Sequence, residues 1–572
     1  MKRIMEFIRP MYRRIAWGLF IKFLGTISEL FLPWILSYLI DDVIPLKRVN
    51  LILAWGGAML AASAVCIVGN VVANRNAAAV ARDSTRAIRH ALYEKITYLS
   101  DAQIDAIGVP SLVSRLSTDT YNLHHMVGVV QRMGVRAPIL VIGGILMTLT
   151  LDVPMTLVLV ATVPLIGILV TMVSKKGARI FRELQNAIDG LVRVIRENIT
   201  GARVIKALSM NDYEIGRFAQ QNREVSSREV HANVVMGMGR PIMNTLLYIG
   251  QAAVICVGAS RVHSGAAEPG SIVAFLSYFT IIANAMMGVT RLFVVLTRSA
   301  ASANRVSEIL DLPEDLTVQA LPAPEKSEYH IEFRSVSFSY NKRRPTIEHI
   351  SFALRRGESL GLIGATGSGK TTIIKLLMRF YDVDEGQILI DGRDVRTIEP
   401  EVLHTMFGVA FQNDNVFSDT VRENILLGRK LSDEDVNRAV RDAQAAGYIS
   451  ELPDGLDEHL NTQGTNLSGG QRQRLLIARA LAGKPDVLVL DDSSSALDYR
   501  TDADLRRALS RGYSDTTSIL VASRVSSIAH CTQILVLDEG KVIGRGTHEQ
   551  LLATCREYQE IARTQMGGLK SA

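Results

Sequence analysis

Along its first three hundred residues the chain alternates long apolar runs with basic stretches of helical period. The apolar runs lie near 15–40, 51–73, 137–173, 242–258 and 271–296. Roughly 20 helical residues cross the hydrocarbon core of a bilayer, so every run but the third reads as a single span. The third is about twice that length, and Asp152, Val153 and Pro154 divide it into two spans joined by a minimal turn. The pattern predicts six membrane helices over 1–312. A Pro-rich, acidic linker over 313–328 comes next. Over 329–572, short Val/Ile/Leu strands alternate with helical segments, the rhythm of an α/β domain.

The charges orient the spans. Lys2, Arg3, Arg9, Arg13 and Arg14 precede the first run, which keeps the N-terminus cytoplasmic. The stretches after spans one, three and five are short and nearly balanced in charge. Those after spans two and four, about 76–126 and 174–235, are long, basic and helical in period. Short loops outside and basic loops inside place both termini in the cytoplasm. Trp17 and Trp55 fall near the expected interfaces, and no small-residue cleavage site follows the first run.

Composition adds exclusions. With 48% hydrophobic residues in 572, and 43 Gly and 16 Pro, the chain is neither disordered nor collagenous. Mean hydropathy of +0.18 agrees with a part that lives in lipid. Cys66, Cys256, Cys531 and Cys555 stand far apart with no C-x-x-C, which excludes a disulfide scaffold and a zinc finger and fits a reducing compartment. The net charge of +6 sits in the basic loops, where it sets topology; no nucleic-acid partner is expected.

The chemistry lies in the second half. Residues Gly364-Ala-Thr-Gly-Ser-Gly-Lys-Thr371 form G-x-x-x-x-G-K-[ST] between an apolar strand (359–363) and an apolar helix (373–380), the context this phosphate-binding loop needs. Gly364, Thr366, Gly367, Ser368, Gly369 and Thr372 belong to the loop whose backbone N–H groups converge on phosphate oxygens. Lys370 brings charge to the β and γ phosphates, and Thr371 offers its hydroxyl to Mg²⁺. This is a nucleotide site. About a hundred residues later comes Leu467-Ser-Gly-Gly-Gln-Arg-Gln-Arg474, then Val487-Leu-Val-Leu-Asp-Asp492, an apolar strand ending in two carboxylates.

This set in this order resembles the nucleotide-binding domain of ABC transporters. Six spans fused upstream resemble a type IV exporter half-transporter over nearly the whole chain. The resemblance implies an α-helical membrane domain of six transmembrane helices plus an α/β P-loop ATPase domain of ABC type. It implies ATP and Mg²⁺ as cofactors and an integral membrane location in the cytoplasmic membrane. It further implies that Tyr340 stacks on adenine, that Gln412 and Asp491 join Thr371 around Mg²⁺, and that Ser495 to Asp498 form a loop communicating between two nucleotide sites. Ser468, Gly469, Gly470 and Gln471 form the signature that closes over ATP held by a partner domain. Residues 108–124 and 201–218 resemble loop tips whose short helices dock on such domains.

Two positions depart from the family pattern. Asp492 stands where a Glu normally polarises the attacking water, and Ser523 stands where a His meets the γ-phosphate. The stretch Leu460-Asn-Thr-Gln-Gly464 also lacks a customary Glu. Within the catalytic set Asp492, Ser523 and Gln412, an intact signature beside the degenerate pair Asp492 and Ser523 predicts one subunit of a heterodimeric multidrug-type exporter, whose partner half-transporter carries the Glu and His. Alternatives are a homodimeric exporter with slow hydrolysis, an ATP-gated channel-like or regulatory membrane protein, or an importer. Candidate substrate residues in the spans are Glu29, Gln251, Tyr278, Asn284, Met286 and Met287, with Arg132 and Arg136 close to the start of span three. Their mixed polar, aromatic and thioether character suits a small amphipathic substrate.

Overall fold

A computed structural model describes residues 2–321, 327–412, 414–493 and 496–566. The chain forms two compact units. One comprises Met1–Tyr98 and Gly108–Leu312; the other comprises Leu99–Ile107 and Pro313–Ala572.

The first unit is helical. Its principal helices are α1 (Tyr12–Tyr38), α2 (Val49–Thr97), α3 (Arg136–Leu151), α4 (Val153–Thr200), α5 (Gly239–His263) and α6 (Pro269–Leu310). Five helical stretches are long and apolar enough to cross a membrane: Arg3–Leu46, Val49–Thr97, Val109–Leu151, Asn211–His263 and Pro269–Leu310. The remaining expected span is shorter, Val153–Leu169 at the start of α4. Asp152 makes the break between α3 and α4: its backbone turns extended and its side chain accepts the Met155 N–H, capping α4. Where α1 and α2 meet, Gly25 and Gly69 face each other, and a Cβ on Gly69 would lie 3.3 Å from the Gly25 Cα. Such small-residue contacts let membrane helices approach backbone to backbone.

The second unit holds two sheets. An antiparallel sheet runs in the order β2-β1-β4-β5, from β1 (Ile331–Phe338), β2 (Ile347–Leu354), β4 (Glu385–Ile390) and β5 (Arg393–Asp394). The larger sheet runs β10-β9-β3-β8-β7-β6, from β3 (Ser359–Gly364), β6 (Phe407–Ala410), β7 (Val487–Asp491), β8 (Thr517–Val521), β9 (Gln533–Asp538) and β10 (Lys541–Gly546). Within it β3, β6, β7, β8 and β9 are mutually parallel. Strand β7 is buried along its whole length, as expected of a parallel strand covered on both faces. Between the sheets, Ile373, Ile374, Leu376 and Leu377 of helix α7 (Lys370–Leu377) join one core with Ile331, Phe333, Leu360 and Val489. Each such side chain, fully buried, contributes about 1.5–3 kcal/mol. The burial anchors α7, so its N-terminus stays aimed at the loop before it. The helix starts and ends three residues earlier than the apolar pattern suggests, since Thr371 and Thr372 continue the helical turn.

The linker region departs from a free tether. Thr317 accepts from Arg379 at 2.8 Å and the Gln319 N–H donates to the Arg396 carbonyl at 2.9 Å, so its first residues are held by the second unit. Residues 322–326 of the expected linker lie outside the described residues.

Candidate functional site

The carboxyl ends of β3, β6, β7 and β8 lie in register. Leu362 pairs with Val521, Asp491 with Val521, and Ala410 with Leu490. The segments leaving these strands therefore open on one side of the sheet: the phosphate loop after β3, Gln412 after β6, Asp492 after β7 and Ser523 after β8. Open α/β sheets bind ligands at this edge. A cavity of about 290 Å³ lies there, lined by Gly364, Thr366, Gly367, Gly369, Lys370, Thr371, Thr372, Gln412, Asp491, Asp492 and Ser523 among others. A second of about 580 Å³ shares Thr346, Thr366 and Gly367 with it and extends past Ser368 to Tyr340.

The loop requires its glycines. Gly369 has φ +97°, and a Cβ there would come within 2.5 Å of Ile347 Cγ2. Gly364 has a Cβ position 2.0 Å from the Leu537 carbonyl oxygen. Both leave room only for hydrogen, so the loop can fold tightly ahead of α7. Lys370 Nζ donates to the Gly364 and Ala365 carbonyls at 3.0 and 2.8 Å. Burial lowers its pKa, while the nearby Asp491 and Asp492 act the other way. Thr371 Oγ1 donates to Asp491 Oδ2 at 3.0 Å. Burial raises the pKa of Asp491, with the Thr371 hydrogen bond opposing and the adjacent Asp492 adding. A hydroxyl, an amide and a carboxylate from Thr371, Gln412 and Asp491 make a hard oxygen donor set on one cavity, and it fits Mg²⁺ completed by phosphate oxygens. Bound there, Mg²⁺ would neutralise phosphate charge.

Asp492 has φ +49° and accepts from two side chains: Ser523 Oγ at 3.1 Å on Oδ1 and Gln412 Nε2 at 3.4 Å on Oδ2. The three residues singled out as the catalytic set thus meet, although they lie up to 111 positions apart in sequence.

Tyr340 stands at the far end, 45% exposed and set edge-on to Phe338 (4.9 Å) and Tyr381 (5.1 Å), with its hydroxyl 3.3 Å from Thr372 Oγ1. Stacking of an aromatic on a base is worth about 1–3 kcal/mol. Tyr340→Ala is expected to weaken ATP binding about tenfold while leaving tripolyphosphate binding unaltered. Competition titrations with both ligands check this, and an equal loss for tripolyphosphate would exclude adenine stacking.

Tyr381 has a role that the sequence does not signal. Its hydroxyl donates to Asp105 Oδ2 at 2.5 Å on the short helix Asp101–Ile107, and Lys375 Nζ reaches Asp101 at 3.9 Å. Burial and the Asp105 contact raise the phenol's pKa. Ser100 and Gln103 donate to Asp315 and the Pro313 carbonyl at 2.6 and 2.8 Å. This corrects the first expected loop tip. The helix that packs with the ATPase unit is Asp101–Ile107, whereas 108–124 belong to the helical unit. There Arg115 pairs with Glu308 at 2.7 Å, Asp119 with Arg305, and Asn122 donates to Ser302 at 3.0 Å. Because α6 takes up these polar groups, 108–124 cannot serve as a free tip. No local sequence signal distinguishes Asp101–Ile107.

The signature residues line neither cavity. Ser468 caps helix α8 (Gly469–Leu481) by accepting the Gln471 N–H at 3.3 Å, and Gln471 Oε1 accepts the Ser468 N–H at 2.8 Å. This capping box presents Gly469 and Gly470 on the first turn. Asp498 caps helix α9 (Tyr499–Gly512), accepting from the Thr501 N–H and hydroxyl at 2.9 and 2.8 Å; these bonds hold its pKa low. Ser495 lies outside the described residues.

In the helical unit, Glu29 and Asn284 share a cavity of about 150 Å³ with Arg136. Gln251 donates to the Leu276 carbonyl at 3.4 Å and to Thr280 Oγ1 at 3.3 Å, Met286 is half-buried and Met287 exposed. Tyr278 is a correction: fully buried, with its hydroxyl donating to the Leu30 carbonyl at 2.6 Å, it packs α6 against α1 and lines no described cavity.

Membrane-length helices in one unit and a Lys–Thr phosphate loop with paired carboxylates in the other define an ATP-driven membrane transporter. The family descriptions agree: ABC transporter transmembrane region matches residues 15–286, and ABC transporter matches 347–495. An uncharacterized ABC transporter ATP-binding protein of Mycobacterium tuberculosis is 33% identical over 98% of this chain and 97% of its own. The ATP-dependent lipid A-core flippase of Syntrophus aciditrophicus is 30% identical over 99% of this chain and 94% of the flippase. A bacterial Atm1-family ABC exporter with ATP bound shares the fold, with a TM-score of 0.82 and 23% identity over 98% of this chain and 99% of that one. The chain belongs to the ABC transporters, and it is an integral membrane protein with a fused ATP-hydrolysing domain.

Proposed function

We propose that this chain is one half of a heterodimeric exporter of small amphipathic substrates in the cytoplasmic membrane, with both termini cytoplasmic. Its own site binds ATP and Mg²⁺ but hydrolyses slowly, and turnover falls mainly to the partner's site. The observation that carries this reading is the Asp492–Ser523 pair. The carboxylate beside Asp491 is one methylene shorter than the family's Glu, and it is tied down by the hydroxyl that replaces the family's His, at 3.1 Å. Displacing a water-activating group by over an ångström costs about a hundredfold in rate.

The signature supports a second half. Ser468 and Gly470 sit at a well-formed helix N-terminus, suited to a γ-phosphate, yet line neither of this chain's nucleotide cavities. They suit ATP held by another chain. The second loop tip points the same way: Val204, Leu208, Met210, Tyr213 and Ile215 are all more than half exposed around the short helix Ala202–Ala207. An apolar patch of this kind suits a partner domain. In this mechanism ATP draws the two ATPase domains together, the loop helices carry that closure into the spans, and hydrolysis at the partner's site resets the inward-facing state.

Asp492 still lines the cavity, which favours a homodimer with slow hydrolysis as the second reading. Steady-state ATP turnover of the chain alone in lipid discs, with nucleotide binding as the folding control, separates the two. Binding with turnover at background supports the heterodimer subunit. Sustained turnover by the chain alone overturns it in favour of the homodimer.

A further inference from the structure

The segment that carries Ser523 is held by two helices of the ATPase unit. One is α10 (Arg556–Met566), near the end of the chain. Its Gln565 side chain spans the segment: Oε1 accepts the Val525 N–H at 2.8 Å, and Nε2 donates to the Ser523 carbonyl at 2.8 Å. A side-chain amide carries an acceptor and a donor side by side, so one glutamine fixes both ends of the stretch Ser523-Arg524-Val525. The same helix packs beneath it. Tyr558 and Ala562 of α10 share a core with Ala522, Val525 and Ile528, and with Ile363 just before the phosphate loop. Helix α9 adds a second hold. Its Arg506 donates to the Ser526 carbonyl at 3.2 Å while pairing with Asp502 at 3.1 Å, and the Arg524 guanidinium lies 5.5 Å from the Tyr499 ring centre.

Ser523 itself is exposed between buried neighbours, lines the nucleotide cavity and donates to Asp492 at 3.1 Å. A single torsion separates its backbone from Oγ, so the hydroxyl can reach only the few points that its backbone position allows. Gln565 lines neither nucleotide cavity. Both of its contacts are to backbone atoms, so the clamp is indifferent to the side chain at 523 and would place a histidine there as it places the serine.

We propose that Gln565 is a positioning residue for ATP hydrolysis at this site: through it, helix α10 sets where residue 523 meets residue 492. Displacement of a reacting group by about an ångström costs about a hundredfold in rate, and a loosened segment forfeits part of that. The role goes beyond the exporter reading and is the same in a homodimer or a heterodimer, because every group in the clamp belongs to one chain.

The test uses the full chain in lipid discs, with retained ATP binding showing that each variant has folded. Hydrogen exchange over 523–528, read by mass spectrometry, is expected to quicken about tenfold in Gln565→Ala, since the Val525 N–H loses its acceptor, while exchange in β7 stays unaltered. Gln565→Glu is the conservative variant. Protonated, its carboxyl can make both contacts; ionised, it sets an acceptor against the Ser523 carbonyl. Its protection, compared with the unsubstituted chain at the same pH, should therefore be lost at pH 8 and return as the pH falls toward about 5. Turnover is read in the Asp492→Glu/Ser523→His background. Adding Gln565→Ala there should lower kcat about tenfold and leave the KM for ATP within about twofold, the mark of a lost contribution to the reaction rather than to binding. Unaltered exchange in Gln565→Ala, exchange in Gln565→Glu that does not respond to pH, or an unaltered kcat in the faster background would overturn the proposal, and so would a KM that rises as far as kcat falls. A background no faster than wild type would reject the degenerate-site reading instead, and the exchange measurements, which need no turnover, would then decide the clamp.

Discussion

Lys370→Ala is expected to weaken ATP binding to this chain by on the order of a hundredfold. A hydrogen bond to a charged group is worth about 1.5–3 kcal/mol, and Lys370 is the cation at the floor of the cavity that the phosphate loop builds. In the structure its ammonium is held by the Gly364 and Ala365 carbonyls at 3.0 and 2.8 Å. ATP must therefore draw it from neutral acceptors to charged oxygens, a net gain that the variant forfeits. The loss should be larger for ATP than for AMP, because the charge belongs to the terminal phosphates. Titration of a fluorescent ATP analogue against the disc-embedded protein checks this, and a change under threefold would remove Lys370 from the phosphate site. Since Lys370 opens a helix whose apolar face is fully buried, the variant should remain folded.

The second large effect is a gain. Asp492→Glu combined with Ser523→His is expected to raise ATP turnover by this chain about a hundredfold, recovering what a misplaced carboxylate costs. The two changes should not be additive. Ser523 Oγ donates to Asp492 Oδ1 at 3.1 Å, and residues in direct contact couple by about 0.5–3 kcal/mol. Ser523→His alone removes a donor that holds the short carboxylate and should gain little. Asp492→Glu alone places a longer carboxylate among Gln412, Ser523 and Lys370 without a γ-phosphate contact. Steady-state turnover of the wild type, both single variants and the double variant completes the cycle. Additive singles would show that Ser523 does not position Asp492, and a double variant no faster than wild type would sink the degenerate-site reading.

Much of the site is legible in the sequence because its pieces are local. A strand, a glycine turn and a helix starting in Lys-Thr-Thr occupy fourteen consecutive residues, and their geometry depends on φ freedom at Gly364, Gly367 and Gly369. The capping box at Ser468 and Gln471 is equally local. The break at Asp152 can be read from Val153 and Pro154, where the structure places an extended residue and a cap. Tyr278 is different, because an aromatic in an apolar helix carries no mark of which neighbour it meets; its hydroxyl finds a carbonyl 248 residues away. The docking helix is hidden for a related reason. Both 101–107 and 108–124 mix apolar and polar positions, and only the partners available to each, Tyr381 and Lys375 for one and α6 for the other, separate them.

Residue order alone settled the rhythm of membrane helices, the change to an α/β domain near 313 and the phosphate-binding turn, since periodicity, turn residues and charge act over a few residues at a time. Tertiary structure decided which distant groups share a cavity. Strand order 9-3-8-7-6 sets the ends of four strands side by side, and that alone brings Gln412, Asp492 and Ser523 onto the phosphate loop. Helix packing closes Arg136 on Glu29 across 107 residues of chain. Such pairings depend on how whole elements bury their apolar faces against one another, a free energy spread over the entire core, and no short stretch of sequence carries it.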